Sequence, residues 1–227
     1  MTARHREGGI GSDVDLGPLP AGHHGLSAAQ VAESQRERLL AGIIGAVAEK
    51  GYAATTIGDV VAVASVSTRS FYENFNSKEE CFLAALDAVA AHLRERVETE
   101  AASVEGWPSQ VVAGLRAMLG FLGAEPEIAR ACVVEPVAAS PAVVARFREY
   151  VNTAAPSLAR GRAESAAPDS LPESTEETLL GGLIVLLSRS IVIGDPLEPL
   201  LADLGEFLLA PYVGAEVARR IASAPGA

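Results

Sequence analysis

The sequence predicts an all-α chain, with a three-helix helix-turn-helix head near the N-terminus and a longer helical bundle behind it. Three observations predict this. Hydrophobic residues fill 49% of the 227 positions and aromatic ones only 5%, so the core must rest on Ala, Leu, Val and Ile. Apolar residues recur at steps of three and four rather than alternating, the period of a helix face. Ser or Thr repeatedly stands just before such a run, where its oxygen can accept a free N–H of the first turn.

Residues 1–26 are rich in Gly, Pro and His and carry no apolar period, so a disordered arm is expected there. The head is expected over 27–76 and the body over 77–227. Ser27 is placed to cap the first helix. Leu39, Leu40, Ile43, Ile44, Val47 and Ala48 form its apolar stripe, and Gly51 stands where a helix is closed by a residue of positive φ. Thr56-Ile57-Gly58-Asp59 reads as an N-cap followed by an acidic N3 residue, opening a short helix with Ile57, Val60, Val61 and Ala64 on its inner face. Ser67 caps the next helix, with Val66 and Phe71 positioned as a hydrophobic staple. Phe71 and Phe75, four apart, point inward together; Thr68, Arg69, Ser70, Tyr72 and Glu73 are left for the outer face.

Ser77-Lys78-Glu79-Glu80 has the form of a capping box and opens a long helix through Phe82, Leu83, Leu86, Val89 and Leu93. Lys78 lies in the first turn, against the helix dipole, a placement that suits an anionic partner. Further helices are expected from Ser109, from Pro126 to about Pro136, and from Pro141. A loop is expected over 157–173, followed by helices over 174–193 and 197–209. The first of these two opens on Ser174-Thr175-Glu176-Glu177, and Pro211 is expected to stop the second. A last short helix covers about 215–222.

Two short helices joined by a tight turn and braced by a third form the DNA-reading helix-turn-helix. The second must show small polar residues and a cation to base edges while large apolar groups lock its other face. Ser67 to Phe75 meets both demands. Arg69 can bond guanine O6 and N7 as a fork, and Thr68 and Ser70 can donate, accept or touch a thymine methyl.

Charge sets limits on this reading. The net charge is −11, and the first 80 residues hold seven basic and ten acidic groups, which counts against a generic nucleic-acid binder with its broad basic patch. A reader of specific sequence needs only a few well-placed cations, and an acidic body suppresses non-specific binding. Cys81 and Cys132 suggest no disulfide framework and read as small buried hydrophobes. His5, His23, His24 and His92 are scattered, no Cys/His spacing suits zinc, and there is no Gly-rich phosphate loop or nucleophile elbow. No metal, cofactor or catalytic activity is therefore expected. The longest apolar stretch, Leu179 to Ile193, is interrupted by Ser188-Arg189-Ser190 and falls short of the roughly 20 residues a membrane span needs, so a cytoplasmic protein with no membrane partner is expected.

The blocks Gly51-Tyr52, Thr55-Thr56-Ile57-Gly58-Asp59-Val60, Ala64-Ser65-Val66-Ser67, Phe71-Tyr72-Glu73-Asn74-Phe75 and Ser77-Lys78-Glu79-Glu80 resemble, in order, spacing and residue type, the tetracycline-repressor (TetR) family. The resemblance spans about residues 35–87. It implies a dimeric transcriptional repressor with a DNA-binding head and a ligand-binding and dimerisation domain, released from a palindromic double-stranded operator by a small-molecule effector of unknown identity. Tyr72 and Lys78 sit where the family contacts phosphates, Thr56 where a further phosphate is met, and Ser67, Thr68, Arg69 and Ser70 where bases are read. Ser65 replaces a frequent turn glycine, Arg69 a commonly small residue, and Asn74 a common His or Tyr. A protein of the same fold that binds ligand but not DNA is the alternative.

The same resemblance places dimerisation on the last two long helices, with Leu183, Leu187, Leu200, Leu204 and Phe207 as expected interface residues and Gly181 and Gly182 allowing close approach. For the effector, Glu135 is singled out on the residues themselves. It falls on the apolar face of the helix opened by Pro126, directly before Pro136, and a buried carboxylate must be paired. Either it pairs with an internal cation such as Arg116, Arg146 or Arg148, or it faces a ligand, with Met118, Phe121 and Phe147 as pocket walls. The family's effector pocket lies in this region of the body.

Overall fold

The computed structural model describes residues 28–224; the expected arm and the Ser27 cap lie outside the described residues. Among the described residues every regular element is helical.

The head is α1 (Ala28–Lys50), α2 (Ile57–Ala64) and α3 (Thr68–Asn74). Leu39, Ile43, Val47, Val60 and Phe71 are fully buried at its centre, with Phe75 and Phe82 beside them. α1 and α2 meet closely at Gly42. A Cβ there would stand 2.8 Å from the Ala64 Cβ and 2.9 Å from the Val60 carbonyl oxygen, so any larger residue would push the two helices apart. α1 closes as expected at Gly51, φ +80°, whose N–H donates to the Val47 carbonyl at 2.8 Å.

α4 (Lys78–Ala102) runs from the head into the body, burying Cys81, Phe82, Ala85 and Leu86 in its first turns. α5 (Trp107–Ala124) lies along it. α5 starts two residues before the expected Ser109, because Pro108 suits a first turn, where its missing N–H has no partner to lose. α6 (Pro126–Ala129) passes into a wide π turn (Arg130–Val134) and then a tight 3₁₀ turn (Glu135–Ala138). The break expected near Pro136 is thus a change of helix type, and it packs against the head. α7 (Pro141–Asn152) returns to α4, where Arg146 and Tyr150 both bond the Asp87 carboxylate.

The expected loop over 157–173 takes in the end of α8 (Ala155–Ala159) and two 3₁₀ turns. Arg162 organises it, donating to the Leu171 and Pro172 carbonyls and to both oxygens of Glu176. Glu176 is buried and also accepts from the Tyr212 hydroxyl at 2.9 Å. The Arg162 guanidinium is the main cause holding the Glu176 carboxyl below its usual range. This inward turn of Glu176 accompanies the absence of the expected box on α9 (Thr175–Ile193). Ser174 makes no side-chain cap, and Thr175 Oγ1 donates instead to the Pro172 carbonyl at 2.7 Å. α10 (Leu200–Val213) continues through Pro211 rather than stopping there. The carbonyl that Pro211, lacking an N–H, cannot serve belongs to Phe207, a residue on the exposed side of the helix. α11 (Ala215–Ala222) spans its expected residues.

The expected interface residues divide. Leu187 and Leu204 are fully buried and Leu183 nearly so within a single chain, so these three belong to the protomer's own core. Gly182 makes room for Phe207 of the same chain, 2.8 Å from where its Cβ would stand, while Gly181 is open. The outward apolar residues are Val185, Leu186, Val192 and Ile193 on α9 and Phe207 on α10. A shallow groove lined by Leu179, Asp203, Glu206, Phe207, Ala210 and Pro211 adjoins them.

Candidate nucleic-acid interface

The candidate site is the outer face of α3 and the turn before it. Thr56 caps α2 with a reciprocal box. Its hydroxyl accepts from Asp59 N–H at 3.2 Å and donates to Asp59 Oδ2, which also accepts Thr56 N–H at 2.9 Å. The Thr56 hydroxyl hydrogen is therefore committed internally. Asp59 also meets Lys50, and these partners, Lys50 first, depress its carboxyl pKa strongly.

The turn is set by Ser65, at φ +51° and ψ +45°, the left-handed conformation for which the family's frequent glycine is suited. Ser65 N–H still donates back to Ala62, and its carbonyl is held from α1 by Arg38 Nη2 at 2.5 Å. Ser67 then caps α3, its oxygen accepting Ser70 N–H at 3.0 Å, with the two hydroxyls bonded to each other at 3.1 Å. Asn74 Nδ2 donates to the Ser70 carbonyl at 2.8 Å, reinforcing the helix from its far end. On the inner face Phe71 is fully buried, and Phe75 packs with it beneath Arg36 of α1.

The outer face presents Thr68, Arg69, Tyr72 and Glu73, all exposed, with Ser70 half-buried. The Tyr72 ring stands edge-on to Phe71 and is 58% exposed, so it is braced at its root and free at its hydroxyl. Arg69 Nε donates to Glu73 Oε1 at 2.8 Å, a pair the four-residue spacing offers and composition alone does not single out.

Lys78 has a different setting from the one expected. Its ammonium donates to the carbonyls of Tyr52 at 2.6 Å and Thr55 at 2.8 Å and lies 4.3 Å from the centre of the Tyr52 ring. It fastens the α1–α2 connection to the start of α4, and burial lowers its pKa. The box around it is also altered. Ser77 accepts from Glu80 N–H, but the Glu80 carboxylate reaches past Ser77 to Asn76.

In the body the four expected effector residues differ in burial and partners. Glu135 is spent on the head: Oε2 accepts Tyr52 N–H at 2.9 Å and Oε1 lies 3.8 Å from Arg130. It is thus paired within the chain, with the Tyr52 N–H and Arg130 as its partners. Phe121 is buried against His92 and Arg96 of α4. Met118 and Phe147 are half-buried. Among the described residues no group of His, Cys, Asp and Glu could hold a metal, and no helix is long and apolar enough to cross a membrane.

Comparison with known proteins agrees with this architecture. Residues 39–85 match the family model described as bacterial regulatory proteins, tetR family. No curated protein matches the chain. Among solved structures, the fatty acid degradation regulator FadR from Bacillus halodurans superposes with a TM-score of 0.69 at 15% identity, over 77% of this chain and 94% of that one. FadR from Bacillus subtilis in complex with stearoyl-CoA gives 0.62 at 14% identity, over 78% and 97%. A TetR family transcription regulator from Marinobacter aquaeolei VT8 gives 0.62 at 18%, over 86% and 96%. The head thus matches the tetR-family model, and the described chain shares the fold of these solved regulators.

Proposed function

We propose that this protein is a homodimeric repressor that binds a palindromic double-stranded operator through α3 and is released by a small-molecule effector held in the body. The observation that carries the reading is the α3 face. Thr68, Arg69, Tyr72 and Glu73 stand in solvent on a helix whose other side is locked by Phe71 and Phe75. Thr68, Arg69 and Ser70 read bases and Tyr72 meets a phosphate, while Thr56, Ser67 and Lys78 act mainly by holding that face in place. Such a regulator works in the cytoplasm and needs no cofactor.

The dimer forms through the outward apolar residues of α9 and α10, which a lone protomer leaves in water. A two-fold assembly presents two copies of α3 to the two half-sites. For the effector, Met118, Phe121 and Phe147 remain the proposed walls. The stearoyl-CoA complex of the Bacillus subtilis neighbour makes long-chain acyl-CoA the first ligand to test.

The test is footprinting on the promoter DNA beside the protein's own gene at graded salt. A protected palindrome that fades as salt rises supports the reading. No protection at low salt, from a folded dimer, would instead establish a ligand-binding protein that does not bind DNA.

A further inference from the structure

We propose that Glu73 is a specificity-determining positioning residue, which fixes the Arg69 guanidinium so that it selects a guanine at one position in each operator half-site. The inference rests on the DNA-binding reading above and names the residue that makes that face selective.

Three observations carry it. The contact is made through Arg69 Nε, so the two terminal nitrogens remain for an outside acceptor. A guanidinium held by Nε presents those nitrogens side by side, the fork that matches guanine O6 and N7. The Arg69 side chain is also 88% exposed and the Glu73 side chain 54%, so the pair stands on the outer face of α3 and is not part of the packing beneath it. In solvent an ion pair of this kind adds little to stability, and the α3 fold is already secured by Ser67, Asn74 and the two phenylalanines.

The third observation is the sign of the charge. A carboxylate on the DNA-facing side of a helix is repelled by phosphates, so Glu73 on its own opposes binding to any sequence. Paired with Arg69, it is neutralised and in return limits the rotamers of a long, flexible side chain before the base is met. The same carboxylate restrains Arg69 from swinging to a phosphate, where its charge would add affinity without sequence information. Glu73 thereby exchanges generic affinity for selectivity.

The experiment selects duplexes from a randomised double-stranded library with the full-length protein. Each half-site base of the winning duplex is then substituted, and binding is measured for the wild type, Glu73→Gln, Arg69→Ala and the double variant. The wild type is expected to prefer G·C at one half-site position by on the order of tenfold to a hundredfold. Glu73→Gln should reduce that preference several-fold at that position alone while tightening binding to unrelated duplex. In the Arg69→Ala background, Glu73→Gln should change the preference at that position no further. Thermal melting of both single variants should match the wild type, since both side chains are exposed. A Glu73→Gln base profile identical to wild type at every position overturns the inference and leaves DNA binding standing. A wild type that enriches no sequence overturns the DNA-binding reading itself, and this inference with it.

Discussion

The Glu135 carboxylate accepts the backbone N–H of Tyr52 at 2.9 Å, joining residues 83 apart in sequence and tying the body to the end of α1. Lys78 holds the Tyr52 carbonyl from the other side at 2.6 Å. The connection after α1 is therefore gripped by an anion on its N–H and a cation on its carbonyls. Gly51 completes the arrangement, since a Cβ there would lie 3.2 Å from Glu135 Oε2 on a backbone of φ +80°.

Glu135→Ala should leave the Tyr52 N–H without its partner. A loss of about 1–3 kcal/mol in unfolding free energy is expected from such an unsatisfied group. Tyr52 amide exchange, followed by NMR, should accelerate more than that of the α5 amides. Equal acceleration throughout the chain would mean that Glu135 acts on global stability and not on the seam between head and body.

Lys78 and Tyr72 should separate structure from contact. Lys78→Met removes two hydrogen bonds that only the ammonium can make, so the head should melt earlier, by about 1–3 kcal/mol. Tyr72→Phe removes one exposed hydroxyl and should leave melting unchanged while weakening DNA binding equally on all operator variants. Calorimetry with parallel titrations of both variants checks the pair of outcomes. A Lys78→Met protein that melts like wild type would return Lys78 to a purely phosphate-facing role.

Ser65→Gly should stabilise the head by roughly 1 kcal/mol, because the left-handed conformation at φ +51° strains a residue with a Cβ. Ser65→Ala should bring no such gain. Chemical denaturation of both variants reads the difference directly.

Acid should loosen the far end of the body. Glu176 has its pKa lowered below the ordinary 4.5 chiefly by Arg162, so its contribution is complete above that value and is lost as pH falls through the depressed one. In Glu176→Gln the acid limb of stability should flatten between about pH 5 and pH 3, the range in which an ordinary glutamate takes up its proton. Unfolding free energies across that range check the sign. A limb as steep as the wild type's would assign the acid sensitivity to other carboxylates.

The local features of this fold are legible in the sequence and the long-range pairings are not. Thr56, Ser67 and Ser77 cap their helices because a cap needs only the next three residues. The inward Phe71 and Phe75 and the outward Arg69 and Tyr72 follow from helical periodicity alone. By contrast, Ser174 has cap chemistry and does not cap, with Glu176 drawn to Arg162, 14 residues back. Lys78 and Glu135 both show charge in an unusual place, and sequence correctly marks them as needing partners. The partner they share is the Tyr52 backbone, which has no side-chain signature to read. The outward face of α9 failed to stand out because that helix is apolar on both sides. Only packing reveals that Leu183 and Leu187 face the core while Val185 and Ile193 face solvent.

That division makes the dimer the most direct measure of the whole account. Sedimentation of the protein on its selected duplex, with Val185→Arg and Leu204→Arg beside the wild type, tests it in one experiment. The wild type should sediment as a dimer and bind one palindrome with two protomers. Val185→Arg should remain folded by circular dichroism, sediment as a monomer and lose operator binding. Leu204→Arg should fail to fold, because it places a charge in the protomer's own core. A folded Val185→Arg that stays dimeric and binds the operator like wild type would contradict the proposed assembly and the two-headed reading of DNA that depends on it.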